Sequence, residues 1–252
     1  MNPDISASAT INGDLQPMDP LELSETTPAT VRERYHHGDL RQQLMEAAVR
    51  SIADHGAEKL SLRALARAAG VSATAPYRHF ESRAALLAEL ARAGFVELGK
   101  AVGSATRAHP GDPLRALLAG GVAYVTYARE NPVPYQLMFS GIVGDFAAYP
   151  GLREAADESY GHVYRVLEEG ITLGVFRDDP LVDLAATVWA GVHGVASLLN
   201  MKEPMEAPGN PTDHPGALAM NALARIHEDT EGILRRLSID GVLAHGHLTP
   251  TD

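Results

Sequence analysis

Apolar residues recur at helical spacing along most of the chain, and this period is the feature that most restricts the fold. In the first periodic segment, from about Asp39 to His55, one face carries residues four positions apart, Leu40, Leu44, Ala48 and Ile52. No alternation of apolar and polar residues is long enough to indicate a strand. The sequence therefore predicts an all-α fold.

Glycine and capping residues divide the next part of the chain into short helices. Gly56 ends the first helix, at a position that favours left-handed backbone. Ser61 and Ser82 precede apolar runs and can act as N-caps of the second and fourth helices. Gly70 closes the second helix, and a third short helix is expected between Ser72 and Phe80.

Longer helices are expected in the rest of the chain. The fourth helix should run from Arg83 to about Arg107, and four prolines within residues 202–216 forbid a helix there. The other expected helices cover Leu114–Glu130, Tyr135–Phe139, Leu152–Gly174, Leu181–Met201 and Ala217–Leu237.

Charge varies along the chain, whose net charge is −11 at pH 7. Residues 1–31 hold five acidic residues, no lysine or arginine and no sustained period, so we expect a disordered tail there. Residues 32–92 hold ten basic and seven acidic residues, whereas residues 93–252 hold eleven basic and twenty acidic ones. We expect a basic module at 32–95, an acidic helical domain at 96–240 and a tail at 241–252.

The location of the protein can also be predicted from composition. Cysteine is absent, which excludes disulfides and thiolate chemistry and suits a reducing cytosol. The first positive charge is Arg32, so no basic region of a secretory signal is present. The uncharged segment Leu184–Met201 approaches membrane-spanning length, but its Thr187 and His193 favour a buried core helix. We expect a cytoplasmic protein that contacts no membrane.

The residues Gly70, Val71 and Ser72 separate two short helices in the pattern of a helix-turn-helix. Gly70 permits a sharp turn, Val71 can fill the angle between the helices, and Ser72 can satisfy free N–H groups at the next helix start. The second helix of such a pair places its first residues in the major groove of DNA. A helical corner without DNA is the alternative.

The side chains around this turn suit double-stranded DNA. Small residues that admit a base edge come first, and Thr74 among them offers both a hydroxyl and a methyl group. Hydrogen-bond donors and positive charges suited to phosphates follow at Tyr77, Arg78, His79 and Arg83.

Residues 35–95 resemble the TetR family of transcriptional regulators. The resemblance lies in the segments YHHGDLR (35–41), LRALA (62–66), GVS (70–72) and PYRHFESRAALL (76–87). It implies DNA reading by the third helix, a homodimer on a double-stranded operator, a C-terminal domain for ligand sensing and dimerisation, and phosphate contacts from Tyr77, His79 and Arg83. The expected DNA-binding residues are Arg41, Ser61, Arg63, Ser72, Ala73, Thr74, Ala75, Tyr77, Arg78, His79 and Arg83.

Two residues depart from the family pattern. Pro76 stands where the broader family often has leucine, and Arg83 replaces the usual lysine. Because proline is tolerated only in the first helical turn, the recognition helix is expected to start regularly only at Thr74 or Ala75. The identity of the base-reading residues is therefore left open.

The C-terminal segment VWAGVHG (188–194) resembles the Trp…His-Gly signature of one TetR subfamily. Each glycine costs about 1 kcal/mol in a helix, which is explicable if another helix or a ligand approaches closely. We expect this helix and Ala217–Leu237 to pair and, doubled by symmetry, to form a four-helix dimer interface.

Aromatic residues of the C-terminal domain can line a ligand cavity or fill a core. Trp189 and His193 are four residues apart and are either pocket residues or a core pair. Tyr124 and Tyr135 can likewise either line the cavity or pack as core residues. We expect a cavity for a small, mainly apolar effector between the Leu114, Leu152 and Leu181 helices. Its expected contacts are Tyr127, Met138, Phe139, Trp189 and His193.

The leading hypothesis is a sequence-specific DNA-binding regulator, a repressor released by its effector. The alternative is a helical protein-binding adaptor without operator binding. An enzyme is disfavoured, because residues 94–100 match only part of a P-loop and no nucleophile elbow or metal triad is present. We expect no cofactor and no metal.

Overall fold

A computed structural model describes residues 37–201, 217–240 and 242–243 of the chain. These residues are helical and contain no strand, apart from one isolated antiparallel bridge between Phe176 and Leu243. The predicted all-α fold is confirmed. The predicted tail at 1–31, the loop at 202–216 and most of the tail at 241–252 lie outside the described residues.

The described residues form nine α-helices, joined by 3-10 turns at Ala57–Lys59, Ala75–Arg78 and Phe146–Ala148 and followed by a π-helix at Arg235–Ile239. The α-helices are α1 (His37–His55), α2 (Leu62–Ala68), α3 (Arg83–Arg107), α4 (Pro113–Glu130), α5 (Pro132–Phe139), α6 (Pro150–Thr172), α7 (Leu181–Leu199), α8 (Ala217–Glu228) and α9 (Thr230–Leu234).

Local chemistry explains where these helices begin. Three of them begin with proline, whose missing N–H costs nothing in the first turn. The Ser82 hydroxyl accepts a hydrogen bond from the Ala85 N–H at 3.1 Å, which confirms the predicted cap of α3. Ser61 occupies the N-cap position of α2, but its side chain makes no capping bond.

The single helix predicted at Ala217–Leu237 is wrong, because the structure divides it at Asp229. The backbone of Asp229 leaves the helical region, at φ −136°, and its carboxylate accepts the N–H of Gly232 at 3.0 Å. A short acidic side chain that caps the following turn starts a new helix. The chain therefore ends α8 at Glu228 and begins α9 at Thr230.

A small core holds the N-terminal helices together. It contains Leu44 and Ala48 of α1, Leu65 of α2, and Phe80, all nearly inaccessible to solvent. Leu86 at the start of α3 completes it. These are the apolar faces that the sequence predicts, and burying them against one another fixes the angle of the helix-turn-helix.

Helix α3 continues from this core into the C-terminal helices, where it packs on α4, α5 and α6. Close approach is achieved through glycine, since a Cβ on Gly99 would lie 3.3 Å from the Cα of Ser159 in α6. The predicted domain boundary at residues 95/96 falls inside α3. The division into two domains stays a prediction.

Helix α7 is buried on one side only. Leu184, Val188, Val192 and Val195 are buried on the side that faces α4 and α6. The opposite side is exposed, so the expected core helix contributes only one face to the core, and no other described element covers the exposed side. Among the described residues, α7 alone is long and apolar enough to cross a membrane by length and composition.

Candidate DNA-binding surface and ligand cavity

The turn after α2 is closed by backbone hydrogen bonds that need a left-handed residue. Gly70 has φ +67°, and its N–H donates to the carbonyl of Arg67 at 3.2 Å. The N–H of Val71 donates to the carbonyl of Ala66 at 3.0 Å. These two bonds form a Schellman motif, in which glycine adopts the left-handed conformation without steric cost.

The recognition segment is a 3-10 turn, Ala75–Arg78, and the expected short helix between Ser72 and Phe80 is reduced to it. The N–H of Tyr77 donates to the carbonyl of Thr74 at 3.2 Å, and that of His79 to Pro76 at 3.0 Å. Pro76 is buried and has no N–H to donate to a helix. The segment therefore begins at Ala75, but as a tighter turn than an α-helix.

The residues expected to read bases are exposed at the beginning of this turn. Ser72, Ala73 and Thr74 are exposed, and the hydroxyls of Ser72 and Thr74 lie 3.2 Å apart. The Ser72 side chain was expected to cap the following helix, but its hydroxyl contacts the Thr74 hydroxyl instead. The backbone carbonyl of Ser72 accepts the N–H of Ala75 at 3.0 Å. Ala75 itself is half-buried.

Positive and hydrogen-bonding side chains surround the turn. Tyr77 and Arg78 are exposed, and His79 is half-buried beside them. Arg63 of α2 is also exposed, and neither Arg63 nor Arg78 forms an ion pair with a residue that the structure describes. Their positive charge is thus presented to solvent, as phosphate binding requires.

Arg83 and Arg41 are engaged within the protein. The guanidinium of Arg83 donates to the carbonyl of Ala57 at 2.5 Å and so ties α3 to the turn after α1. Arg41 lies 2.8 Å from Glu89, with its guanidinium over the ring of Phe80. Burial raises the pKa of Glu89, but hydrogen bonds from Arg92 and Arg41 outweigh it and leave the pKa below its ordinary value. DNA contacts from Arg41 and Arg83 stay predictions.

A cavity of about 50 Å³ lies between α3, α4, α5, α6 and α7. Its wall is apolar and aromatic, and no lysine, arginine, aspartate, glutamate or histidine lines it. Of the expected pocket residues, Phe139 and Trp189 line this cavity. The sequence did not single out Tyr160, which lies edge-on to Trp189 at 6.4 Å. Tyr160 is three and four residues before Val163 and Tyr164 on α6, and this helical spacing could have placed it on the same face as those two residues.

His193 lies behind the cavity wall. Its ring stacks on Trp189 with centroids 4.9 Å apart. The hydroxyls of Tyr124 and Tyr135 lie 3.0 and 2.9 Å from its Nδ1 atom. Burial lowers the pKa of His193 and raises the pKa of both tyrosines, so all three groups are uncharged at neutral pH.

Tyr127 and Met138 do not line this cavity. Tyr127 borders a separate open groove between α4 and the Arg235–Ile239 segment, and burial and the charge of Glu97 raise its pKa to about 12. Met138 packs against α3, where its sulfur would lie 2.7 Å from a Cβ on Gly94. The expected grouping with Trp189 fails because both side chains point to other sides of their helices.

Two family models match the chain. Residues 44–90 match the model of bacterial regulatory proteins of the tetR family, and residues 117–225 match the tetracyclin repressor-like C-terminal domain. Together these matches cover more than half of the chain. The chain belongs to the TetR family.

Similar proteins agree with membership of the TetR family. The chain is 28% identical over 191 residues to the HTH-type transcriptional regulator Rv1816 of Mycobacterium tuberculosis, covering 64% of this chain and 82% of the relative. It is 25% identical over 159 residues to the HTH-type transcriptional regulator AcrR of Shigella flexneri, covering 61% and 74%.

Solved structures show the same fold. A Rhodococcus sp. RHA1 protein of unknown function matches with a TM-score of 0.62 and 30% identity, over 82% of this chain and 99% of that one. The TetR-family regulator PfmR from Thermus thermophilus matches with a TM-score of 0.55 and 23% identity, over 77% and 97%. As a TetR-family member, the protein is a DNA-binding helix-turn-helix regulator of transcription, and its relatives are regulators, not enzymes.

Proposed function

We propose that this TetR-family protein is a cytoplasmic homodimeric repressor that leaves its operator when a small, mainly apolar molecule enters the cavity beside Trp189. The position of Trp189 carries the proposal. Its ring stacks on His193 and lines the cavity, yet 38% of the residue is exposed, directly before Ala190 of the outer side of α7. One side chain thus borders both the ligand site and the surface that we assign to the dimer. This pairing also favours the Trp…His-Gly subfamily.

The operator contacts follow from exposure around the 3-10 turn. We assign base reading to Thr74, an exposed residue whose side chain carries both a hydroxyl and a methyl group. Tyr77, Arg78 and His79 are assigned to phosphates. Arg83 already donates one hydrogen bond to Ala57, so only its remaining donors are left for a phosphate.

The dimer surface is the outer side of α7. Val182, Ala186, Ala190, Gly194 and Leu198 follow one another at spacing four on this side, and all are apolar or small. Gly194 is not required by any described neighbour, since a Cβ added there meets no atom within 4 Å. A glycine that its own chain does not require is typical of a surface where a helix of another chain approaches closely. We assign that helix to the α7 of a second copy, related by two-fold symmetry.

The small size of the cavity supports a change of conformation when a ligand binds. Its volume of about 50 Å³ is well below the roughly 150 Å³ of an engineered cavity that holds benzene. A ligand therefore binds a conformer in which Trp189 has moved outward, and it favours that conformer by its difference in affinity. Phe95, Leu98 and Val102 of α3 line the cavity, so its expansion acts on the helix that leads to the DNA-binding surface.

The test combines operator binding with Trp189 emission. Footprinting on the DNA upstream of its own gene should reveal a near-palindromic site, with half-sites about one helical turn apart. A ligand that releases this DNA should change the fluorescence of Trp189, the only tryptophan. The matched variant Trp189→Phe should respond to that ligand with altered affinity. Release of DNA with unchanged emission and a normal response of Trp189→Phe would place the sensor elsewhere.

A further inference from the structure

Tyr124 belongs both to the cavity wall and to the hydrogen-bonded group behind it. Its side chain lines the cavity, whereas Tyr135 and His193 do not. Both tyrosines are nearly inaccessible to solvent. Tyr124 is therefore the residue through which a molecule in the cavity can reach the polar group.

Two hydroxyls converge on one nitrogen at this point. Tyr124 and Tyr135 lie at almost equal distances, 3.0 and 2.9 Å, from Nδ1 of His193. With its proton on Nε2, a neutral imidazole offers a single lone pair at Nδ1, and only one hydroxyl can donate to it. If Tyr135 makes that bond, the proton of Tyr124 can turn to another acceptor while Nδ1 stays paired.

The remaining wall sets the charge of an acceptable ligand. No lysine, arginine, aspartate, glutamate or histidine lines the cavity, and the polar side chains in its wall are those of tyrosine, serine and tryptophan. An ion without a partner in an apolar site loses its hydration at high cost. The rings of Phe139, Tyr160 and Trp189 meanwhile offer flat apolar surface.

We infer that the effector is an uncharged aromatic or similarly flat apolar molecule with one hydrogen-bond acceptor, such as a carbonyl oxygen, which receives the hydroxyl proton of Tyr124. Tyr135 is a positioning residue, because it keeps Nδ1 of His193 paired when Tyr124 turns to the ligand. This inference rests on the proposed ligand cavity and adds the chemical class of its occupant.

Three probes of similar size test the inference on the full-length protein by titration calorimetry. Acetophenone has the flat ring and the carbonyl acceptor, ethylbenzene lacks the acceptor, and benzoate carries a charge. The ratio of acetophenone to ethylbenzene affinity should fall about three- to tenfold in Tyr124→Phe, because one hydrogen bond is lost. Benzoate should not bind at concentrations that saturate the protein with acetophenone.

Two further variants separate this role from general effects on folding. Tyr164→Phe removes another hydroxyl from the same wall and should leave the affinity ratio unchanged. Tyr135→Phe does not alter the wall, but it leaves Tyr124 as the only tyrosine hydroxyl beside Nδ1 of His193. A hydrogen bond from Tyr124 to the ligand would then leave Nδ1 without a donor. Tyr135→Phe should therefore lower the affinity for acetophenone and leave that for ethylbenzene unchanged.

Several results would overturn the inference. These are an unchanged ratio in Tyr124→Phe, a fall in Tyr164→Phe instead, tighter binding of benzoate, or no binding of any probe up to its solubility limit. Operator release is measured separately. Probes that show the Tyr124 dependence but leave DNA bound would contradict the proposed repressor switch and leave the ligand class supported.

Discussion

The candidate DNA-binding surface and the proposed ligand cavity differ in how their side chains are held in place. Around the turn Ala75–Arg78, small and positive side chains are exposed, and backbone hydrogen bonds within a few residues hold them in place. Around the cavity, uncharged aromatic side chains from five helices meet in the interior. The first surface depends on local chain geometry, and the second depends on how helices pack. Substitutions in the two regions should therefore differ in kind.

The largest effect is expected from Phe80→Ala in the core of the DNA-binding helices. Phe80 is 3% exposed, and its removal should cost about 3–5 kcal/mol of unfolding free energy, measured by chemical denaturation. Phe139→Ala is the matched control at the cavity wall. It should cost less, since Phe139 is only half-buried and already borders a void. Equal losses would show that the cavity wall is packed as tightly as the core.

The next largest effect is expected from Gly194→Glu on the outer side of α7. Two glutamates facing each other across a two-fold axis should weaken dimerisation and operator binding by about a hundredfold, measured by light scattering and DNA titration. Thr172→Glu on α6 is the control, because Thr172 is also an exposed helical threonine but lies on a helix outside the proposed interface. A Gly194→Glu protein that remains a dimer of unchanged stability would exclude this side of α7 as the interface.

Substitutions of Arg78 and Arg83 should have different effects, although the two residues are close in sequence: the first should weaken DNA binding and the second should lower folding stability. Arg78→Ala should reduce the salt dependence of DNA binding by about one unit of slope and leave thermal stability unchanged. Arg83→Ala should lower stability by about 1.5–3 kcal/mol, because it removes the charged donor to the carbonyl of Ala57. A protein with Arg83→Ala that has wild-type stability and only a reduced salt dependence of DNA binding would contradict this difference between the two arginines.

The smallest effect is a loss of stability in mild acid that originates at His193, behind the cavity wall. Burial lowers the pKa of His193 in the folded protein, so the unfolded chain binds a proton more readily as pH falls below about 6.5. Stability should be fully present at neutral pH and decrease towards about pH 5. His193→Phe should reduce this dependence in thermal denaturation, whereas His162, whose pKa burial also lowers, retains its part. A wild-type stability that rises on acidification would contradict the assignment.

Much of the fold could be predicted because its signals are local. Gly56 and Gly70 end helices at positive φ, Ser82 caps α3, and prolines begin α4, α5 and α6. Each of these features depends on bonds between residues at most a few positions apart. The turn Ala75–Arg78 is local in the same way, because hydrogen bonds between residues three positions apart close it. The effect of Pro76 on it was also visible, although the resulting turn is tighter than expected.

Tertiary packing decided what these local signals do not contain. Helical period identifies an apolar face, but it does not say which helix that face meets or how far the helix is rotated. For this reason the sequence did not show that Tyr127 lies outside the cavity wall. It also did not show that Arg83 donates a hydrogen bond to the carbonyl of Ala57, 26 positions earlier. Tyr124 and Tyr135 met on one nitrogen of His193, 69 and 58 positions away, because α4, α5 and α7 pack together. The sequence by itself determined most helix ends and the turn after α2, because these depend on local bonds, and only the packing of the helices decided which side chains line the cavity.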